Sequence, residues 1–240
     1  MHTLSYRQRR SELQTYFDRT ASETWARLTS DAPVSGIRRT VRAGRDRMRA
    51  TLLDWMPADL KGMRILDAGC GTGALSFEAA RRGADVVAID LAETLVDLAR
   101  ERVGKLRSEL PSAEGYGSIQ FHVGDMLDPA LGRFDYAVAM DSLIHYRSAD
   151  MVAMLGRLSA NVERGIIFTF APRTPALTLM HAVGRFFPRQ DRAPAIEPVD
   201  AGELRRHIAA EPALSTFREG HTFRVDSGFY VSSAMEIVKV

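Results

Sequence analysis

The feature that most constrains this chain is the stretch Ile65-Leu66-Asp67-Ala68-Gly69-Cys70-Gly71-Thr72-Gly73. An apolar run ends in an acid, glycines follow at alternate positions, and a helix-compatible run comes next. Glycines spaced this way let a ligand approach the backbone with no Cβ in between, and the following helix offers unpaired N–H groups at its start. A dinucleotide turn spaces its glycines Gly-x-Gly-x-x-Gly around a pyrophosphate. Here the third glycine comes one position early, and Asp67 would repel a pyrophosphate while suiting a cation.

Short apolar runs alternate with helical stretches on either side of this loop. Strands are expected at 63–69, 85–90, 119–123, 134–141 and 165–172, with helices at 74–82, 93–109 and 149–160 between them. That alternation predicts a parallel sheet with right-handed crossovers. Residues 1–60 read as helical, with a Pro/Gly break at 33–36. Residues 172–200 carry five of the ten prolines around an amphipathic piece. A short helix is expected at 200–210, then two β-rich runs, 214–223 and 228–240, linked by Arg224-Val225-Asp226-Ser227. So short a link predicts an antiparallel hairpin at the sheet edge. The expected fold is α/β: five parallel strands plus a C-terminal antiparallel hairpin with helices on both faces, the order of a class I methyltransferase core. The expected domains are an N-terminal helical arm or lid over 1–60 and a core over 61–240 with a substrate-covering insertion at about 172–200.

Three acids end successive strands. Asp67 ends the first beside Gly69, Gly71 and Gly73. Asp90, 23 residues on and followed by Leu91, is placed to accept both hydroxyls of a ribose. Asp125 ends the third strand, suited to an adenine amino group, with Met126 beside it to pack on the ring. An ammonium, a ribose and an adenine together describe S-adenosylmethionine. Cys70 reads as a small filler between glycines rather than a nucleophile.

Composition narrows the rest. One cysteine excludes a disulfide framework or a cysteine zinc site, and no metal centre is expected. No apolar run reaches the ~20 residues of a membrane span. The N-terminus lacks the apolar segment of a secretory signal, so the expectation is a cytoplasmic protein. The net charge of +2 is too small to argue for nucleic acid, although residues 36–49 hold six arginines and one aspartate. That cluster reads either as a solvated helix face or as a surface for an anionic ligand.

After the fourth strand the chain reads Asp141-Ser142-Leu143-Ile144-His145-Tyr146, with no Asn/Asp-Pro-Pro-Tyr/Phe motif of an amino-methylating nucleic-acid enzyme. Asp141 is counted on the cofactor side. His145 is a candidate base or positioning group beside the transferable methyl.

With "VRAG" (41–44), "DAGCGTG" (67–73), "IHY" (144–146), "FAPRT" (170–174), "FFP" (186–188) and the terminal "FYVSSAMEIVKV", the chain resembles the magnesium-protoporphyrin IX O-methyltransferase family. Tyr16-Phe17 and Trp25 belong to the same pattern, while Val231 and the arginines Arg38 and Arg39 depart from it. The resemblance implies methylation of a porphyrin propionate in chlorophyll or bacteriochlorophyll synthesis. It implies His145 and Tyr16 as catalytic residues, Arg42 on the cosubstrate carboxylate, and Tyr146, Arg173, Phe229 and Tyr230 on the substrate. It also implies a cover for the macrocycle from Leu177, Met180, Phe186 and Phe187, and docking to the large porphyrin-binding subunit of magnesium chelatase. Peripheral association with pigment membranes is compatible with it. Other readings stay open: a methyltransferase for a quinone or polyketide, and a non-catalytic protein of the same fold.

Overall fold

The computed structural model describes residues 4–18, 36–112, 114–173 and 195–240. Trp25, Leu177, Met180, Phe186, Phe187 and the Arg38 side chain lie outside the described residues, as does most of the expected insertion.

Strand β1 (Arg64–Ala68) leads through the glycine loop into helix α3 (Ala74–Arg81). Then follow β2 (Asp85–Asp90), α4 (Glu93–Ser108), β3 (Ser118–Val123) and β4 (Phe134–Ala139). Helix α5 (Ser148–Ser159), β5 (Val162–Phe170), α6 (Ala201–Ala210), β6 (Phe217–Ser227) and β7 (Tyr230–Lys239) complete the core. Ahead of it stand α1 (Leu4–Tyr16) and α2 (Gly36–Asp54). The seven strands form one sheet in the order β3-β2-β1-β4-β5-β7-β6. β1 to β5 pair in parallel, and β7 runs antiparallel to both β5 and β6. The five-plus-hairpin order expected from sequence is the order found.

The apolar runs explain the layering. Strands buried on both faces need near-continuous apolar sequence, and β1 and β2 are buried over nearly their whole length. Alternate residues then supply opposite faces. Leu66 and Ala68 join a core with Phe168, α5 and Leu13 of α1. Ile65 joins Met48 and Leu52 of α2 and Ala79 and Ala80 of α3 on the other face. Helix α4 opens with Glu93 and closes with Lys105 and Arg107, which suits the helix dipole at both ends.

One element differs from the reading. Residues 224–227 are not the hairpin link: Val225 is buried, and Ser227 pairs with Tyr230. β6 runs through them, and the turn is Gly228-Phe229. Gly228 takes φ +61°, the positive value that a two-residue hairpin turn requires and glycine adopts without strain.

β1 and β4 are neighbours whose chains lead to opposite sides of the sheet. Ligands in open α/β sheets bind at the carboxyl ends of the strands at such a switch point. Asp67, Asp90, Asp125 and Asp141 all lie at those ends.

Candidate functional site

The loop after β1 is tied to β2 by two backbone bonds, from the N–H groups of Gly69 and Cys70 to the Ile89 carbonyl at 2.8 and 3.0 Å. Gly69 has φ +86°, and a Cβ there would come 2.3 Å from that of Ser142, so the chain after β4 packs directly on the loop. Ser142 Oγ donates to the Ala68 carbonyl at 2.7 Å. Gly71 has φ +53°, and a Cβ there would meet no protein atom within 4 Å. The cavity continues where that side chain would stand.

This cavity, of about 230 Å³, is lined by Gly69, Cys70, Gly71 and Thr72 of the glycine loop, with Asp67, Asp90, Leu91, Met126, Asp141, His145 and Tyr146, while Gly73 faces Ala99 and Val103 of α4 instead. Helix α2 contributes Arg42, Arg45, Asp46 and Arg49, spaced to share one helix face, and α4 contributes Arg102. Among the described residues no group of three or more His, Cys, Asp or Glu is placed to hold a metal ion.

The acids differ in their surroundings. Asp67 is only 1% exposed and accepts from Ser76 Oγ at 2.5 Å. Burial, assisted by the nearby Asp90 charge, raises its pKa to about 7 despite the Ser76 bonds. Burial also raises Asp90, whose oxygens accept from Gly71 N–H at 2.9 Å and Ala92 N–H at 3.1 Å. A cationic ligand would relieve both. Burial pushes the Cys70 thiol up as well, which keeps it unreactive, as a filler should be.

Asp125 is placed otherwise than the sequence suggested. It is not among the cavity-lining residues, although Gly124 and Met126 on either side are. Its carboxylate accepts from Tyr6 at 2.7 Å, Arg10 at 2.8 Å and Leu127 N–H at 2.9 Å. Helix α1 thus clasps the strand end expected to meet the adenine.

His145 lines the cavity and is 7% exposed, with Phe17 edge-on at 6.1 Å. Its Nδ1 lies 3.2 Å from the Ala195 carbonyl, which can only accept, so Nδ1 carries the proton and Nε2 the lone pair. Burial lowers its pKa and keeps the ring neutral. Tyr146 is buried and stacked on Tyr6, with ring centroids 5.6 Å apart.

Four residues implied by the resemblance stand outside the lining. Tyr16 is half-buried and packs edge-on against Phe17, which is the one facing the cavity. Arg173 is 57% exposed and lies 3.7 Å from Glu203. Phe229 is 61% exposed at the hairpin turn. Tyr230 is buried behind the cavity, with its hydroxyl on Asp141. Sequence reasoning missed Tyr6, Arg10 and Arg102; it named Phe17 only beside Tyr16 in the family pattern, and Arg45 and Arg49 only within the arginine cluster of α2.

The chain is similar to known proteins over nearly its whole length. The family model described as "Magnesium-protoporphyrin IX methyltransferase C-terminus" matches residues 139–239, and a methyltransferase domain model matches 65–165. The magnesium-protoporphyrin O-methyltransferase of Rhodobacter capsulatus is 47% identical over 96% of this chain and 97% of its own length. That of Synechocystis is 29% identical over 93% and 94%. The crystal structure of magnesium protoporphyrin IX methyltransferase from Synechocystis with bound SAH superposes with a TM-score of 0.81 at 26% identity, covering 96% of this chain and 99% of that one. With that likeness running nearly the whole length of both chains, the protein belongs to the magnesium-protoporphyrin O-methyltransferase family.

Proposed function

We propose that this protein transfers a methyl group from S-adenosylmethionine to a propionate of magnesium-protoporphyrin IX, giving the monomethyl ester used in chlorophyll or bacteriochlorophyll synthesis. The near-full-length likeness to the Rhodobacter capsulatus enzyme carries this reading. Protoporphyrin holds oxygen only in its two propionates, so O-methylation means ester formation there. The magnesium belongs to the substrate.

The residues suit the methyl donor. Asp67 and Asp90 are carboxylates whose burial disfavours their charge, and the missing Cβ at Gly71 leaves room against the backbone. When bound, S-adenosylmethionine supplies an electrophilic sulfonium methyl. Asp67 offers a charge partner for its ammonium, Asp90 an acceptor for ribose hydroxyls, and Arg42 a partner for its carboxylate. Met126 and Leu91 wall the adenine side, and Asp125 reaches that side only if it shares its oxygens with Tyr6 and Arg10.

A propionate has a pKa of about 4.3 and enters ionised. Its attack gains more from orientation and water exclusion than from proton removal. His145 is the group proposed to hold it. Neutral His145 has a lone pair on Nε2, so gripping an anion there requires that nitrogen to be protonated. Burial opposes this until the anionic acceptor is in place, and acceptor binding therefore takes up a proton. Phe17 and Tyr146 would flank the macrocycle beside His145, with Tyr16 acting through Phe17. Arg173, Phe229 and residues 174–194 are proposed to meet the part of the porphyrin outside the cavity.

The large subunit of magnesium chelatase is proposed as a docking partner, supported by the exposed Arg39 and Arg47 on α2. Among the described residues no helix is long and apolar enough to cross a membrane. A cytoplasmic location with peripheral contact to pigment membranes is the proposed setting. Incubating the protein with labelled S-adenosylmethionine and magnesium-protoporphyrin IX tests the reaction, and a porphyrin product without added methyl refutes it.

A further inference from the structure

Asp141 is the one non-glycine residue with positive φ, +55°, among the described residues. Aspartate tolerates that conformation better than most side chains, but it persists only where the surroundings over-determine it. Here three elements do so. Thr169 of β5 accepts from the Asp141 N–H at 2.7 Å and donates to Oδ1 at 3.3 Å. Arg45 of α2 reaches Oδ2 at 2.9 Å. The Tyr230 hydroxyl of β7 lies 3.0 and 3.2 Å from the two carboxylate oxygens and donates its single proton between them. The Asp141 carboxylate is only 5% exposed at the cavity wall, four residues before His145.

Tyr230 is fixed by a second contact. Its ring lies against Gly44, where a Cβ would come 2.6 Å from Cδ1. Gly44 precedes Arg45, so one aromatic ring seats the helix that supplies the arginine while its hydroxyl meets the carboxylate the arginine pairs with. The arrangement also serves the charge of the site. An uncompensated carboxylate beside the path of an anionic acceptor would repel it, and Arg45 and the phenol offset that charge.

We propose that Tyr230 is a positioning residue acting through Asp141: seated on Gly44 and joined by Arg45, it holds that carboxylate, and so the turn leading to His145, in the geometry that methyl transfer requires. This rests on the methyltransferase reading above. It gives the terminal Phe229-Tyr230 pair a role that needs no contact between Tyr230 and the macrocycle.

The test measures kcat per cofactor-binding site, with sites and affinity titrated by calorimetry using S-adenosylmethionine alone. Tyr230→Phe keeps the ring on Gly44 and removes only the hydroxyl. Its kcat is expected to fall about tenfold, the size of one lost hydrogen bond to a charged group, with porphyrin KM little changed and the thermal midpoint lowered by about 2–4 °C. Gly44→Ala displaces the same ring and lowers kcat similarly, and the double variant falls no further than the worse single one. An unchanged kcat for Tyr230→Phe overturns the proposal, as does full additivity in the double variant. A fall in KM-dependent terms alone would make Tyr230 a substrate contact and overturn it too. Should the unaltered protein bind S-adenosylmethionine yet methylate no porphyrin, the acceptor reading fails instead.

Discussion

The hydroxyl of Tyr6 donates to Asp125 at 2.7 Å, joining the first helix to the end of the third strand across 119 residues of sequence. Arg10, one turn on, takes the other carboxylate oxygen at 2.8 Å. Burial works against the Asp125 charge, but Tyr6, Leu127 N–H and Arg10 outweigh it and hold the carboxyl below its usual range. Such a group stabilises above its unfolded pKa, and the contribution is lost as pH falls through the folded one. Helix α1 is therefore expected to release in acid before the core unfolds. Tyr6→Phe should cost about 1.5 kcal/mol and move α1 release to higher pH, read by hydrogen exchange at residues 4–16; exchange unchanged from the parent would remove the clasp.

If Asp67 pairs with the cofactor ammonium as proposed, cofactor binding is expected to depend on pH. With its pKa raised to about 7 in the empty protein, it is half protonated near neutrality, and it must ionise to pair with an ammonium. Affinity for S-adenosylmethionine should rise about fivefold from pH 6 to pH 7, with a proton released on binding. For the empty protein the sign is opposite: stability present at low pH is lost as pH rises through 7, because the buried charge then goes unpaired. Calorimetry in two buffers of different ionisation enthalpy checks this, and Asp67→Asn should bind far more weakly with a flat profile. An equally steep profile in that variant would locate the titrating group elsewhere.

Acceptor affinity should run the other way. If His145 must gain a proton to hold a carboxylate, porphyrin KM increases as pH rises above neutrality. His145→Gln offers a permanent N–H donor and should show a flatter KM profile at reduced kcat. His145→Ala should lose about 100-fold in kcat with cofactor affinity retained. Identical pH slopes in the parent and the Gln variant would contradict this role.

The approach of Ser142 to Gly69 is the tightest at any glycine of the glycine loop. Gly69→Ala combines a φ of +86° with a Cβ 2.3 Å from its neighbour, and should cost about 1–3 kcal/mol along with cofactor binding. Ser142→Gly should restore part of both, because it removes the atom in the way. Thermal denaturation and calorimetry on the single and double variants decide it, and no recovery would mean that backbone strain alone is responsible.

What could be read from sequence and what could not follow a physical line. The cavity wall formed by Gly69, Gly71 and the strand-end acids Asp67 and Asp90 was legible because each residue sits at a fixed offset from a strand. Tyr6 and Arg10, and the contact of Phe17 with His145, were not, because the partners Asp125 and His145 lie more than a hundred residues away and no local pattern announces the pairing. Arg45 was visible only as one arginine in a cluster, and its bond to Asp141 needed the fold. The hairpin turn was misplaced because Arg224, Asp226 and Ser227 look like a link, yet β6 is an edge strand whose outer positions are free to be polar. The Ser-Gly pair at 227–228 was the available signal.

The central claim is methyl transfer to one porphyrin carboxyl, and one measurement meets it most directly. Purified protein is incubated with labelled S-adenosylmethionine and magnesium-protoporphyrin IX, and the porphyrin is weighed by mass spectrometry. The account predicts a product heavier by a single methyl and labelled once. Unmodified porphyrin, from protein shown in the same preparation to bind S-adenosylmethionine, would contradict it.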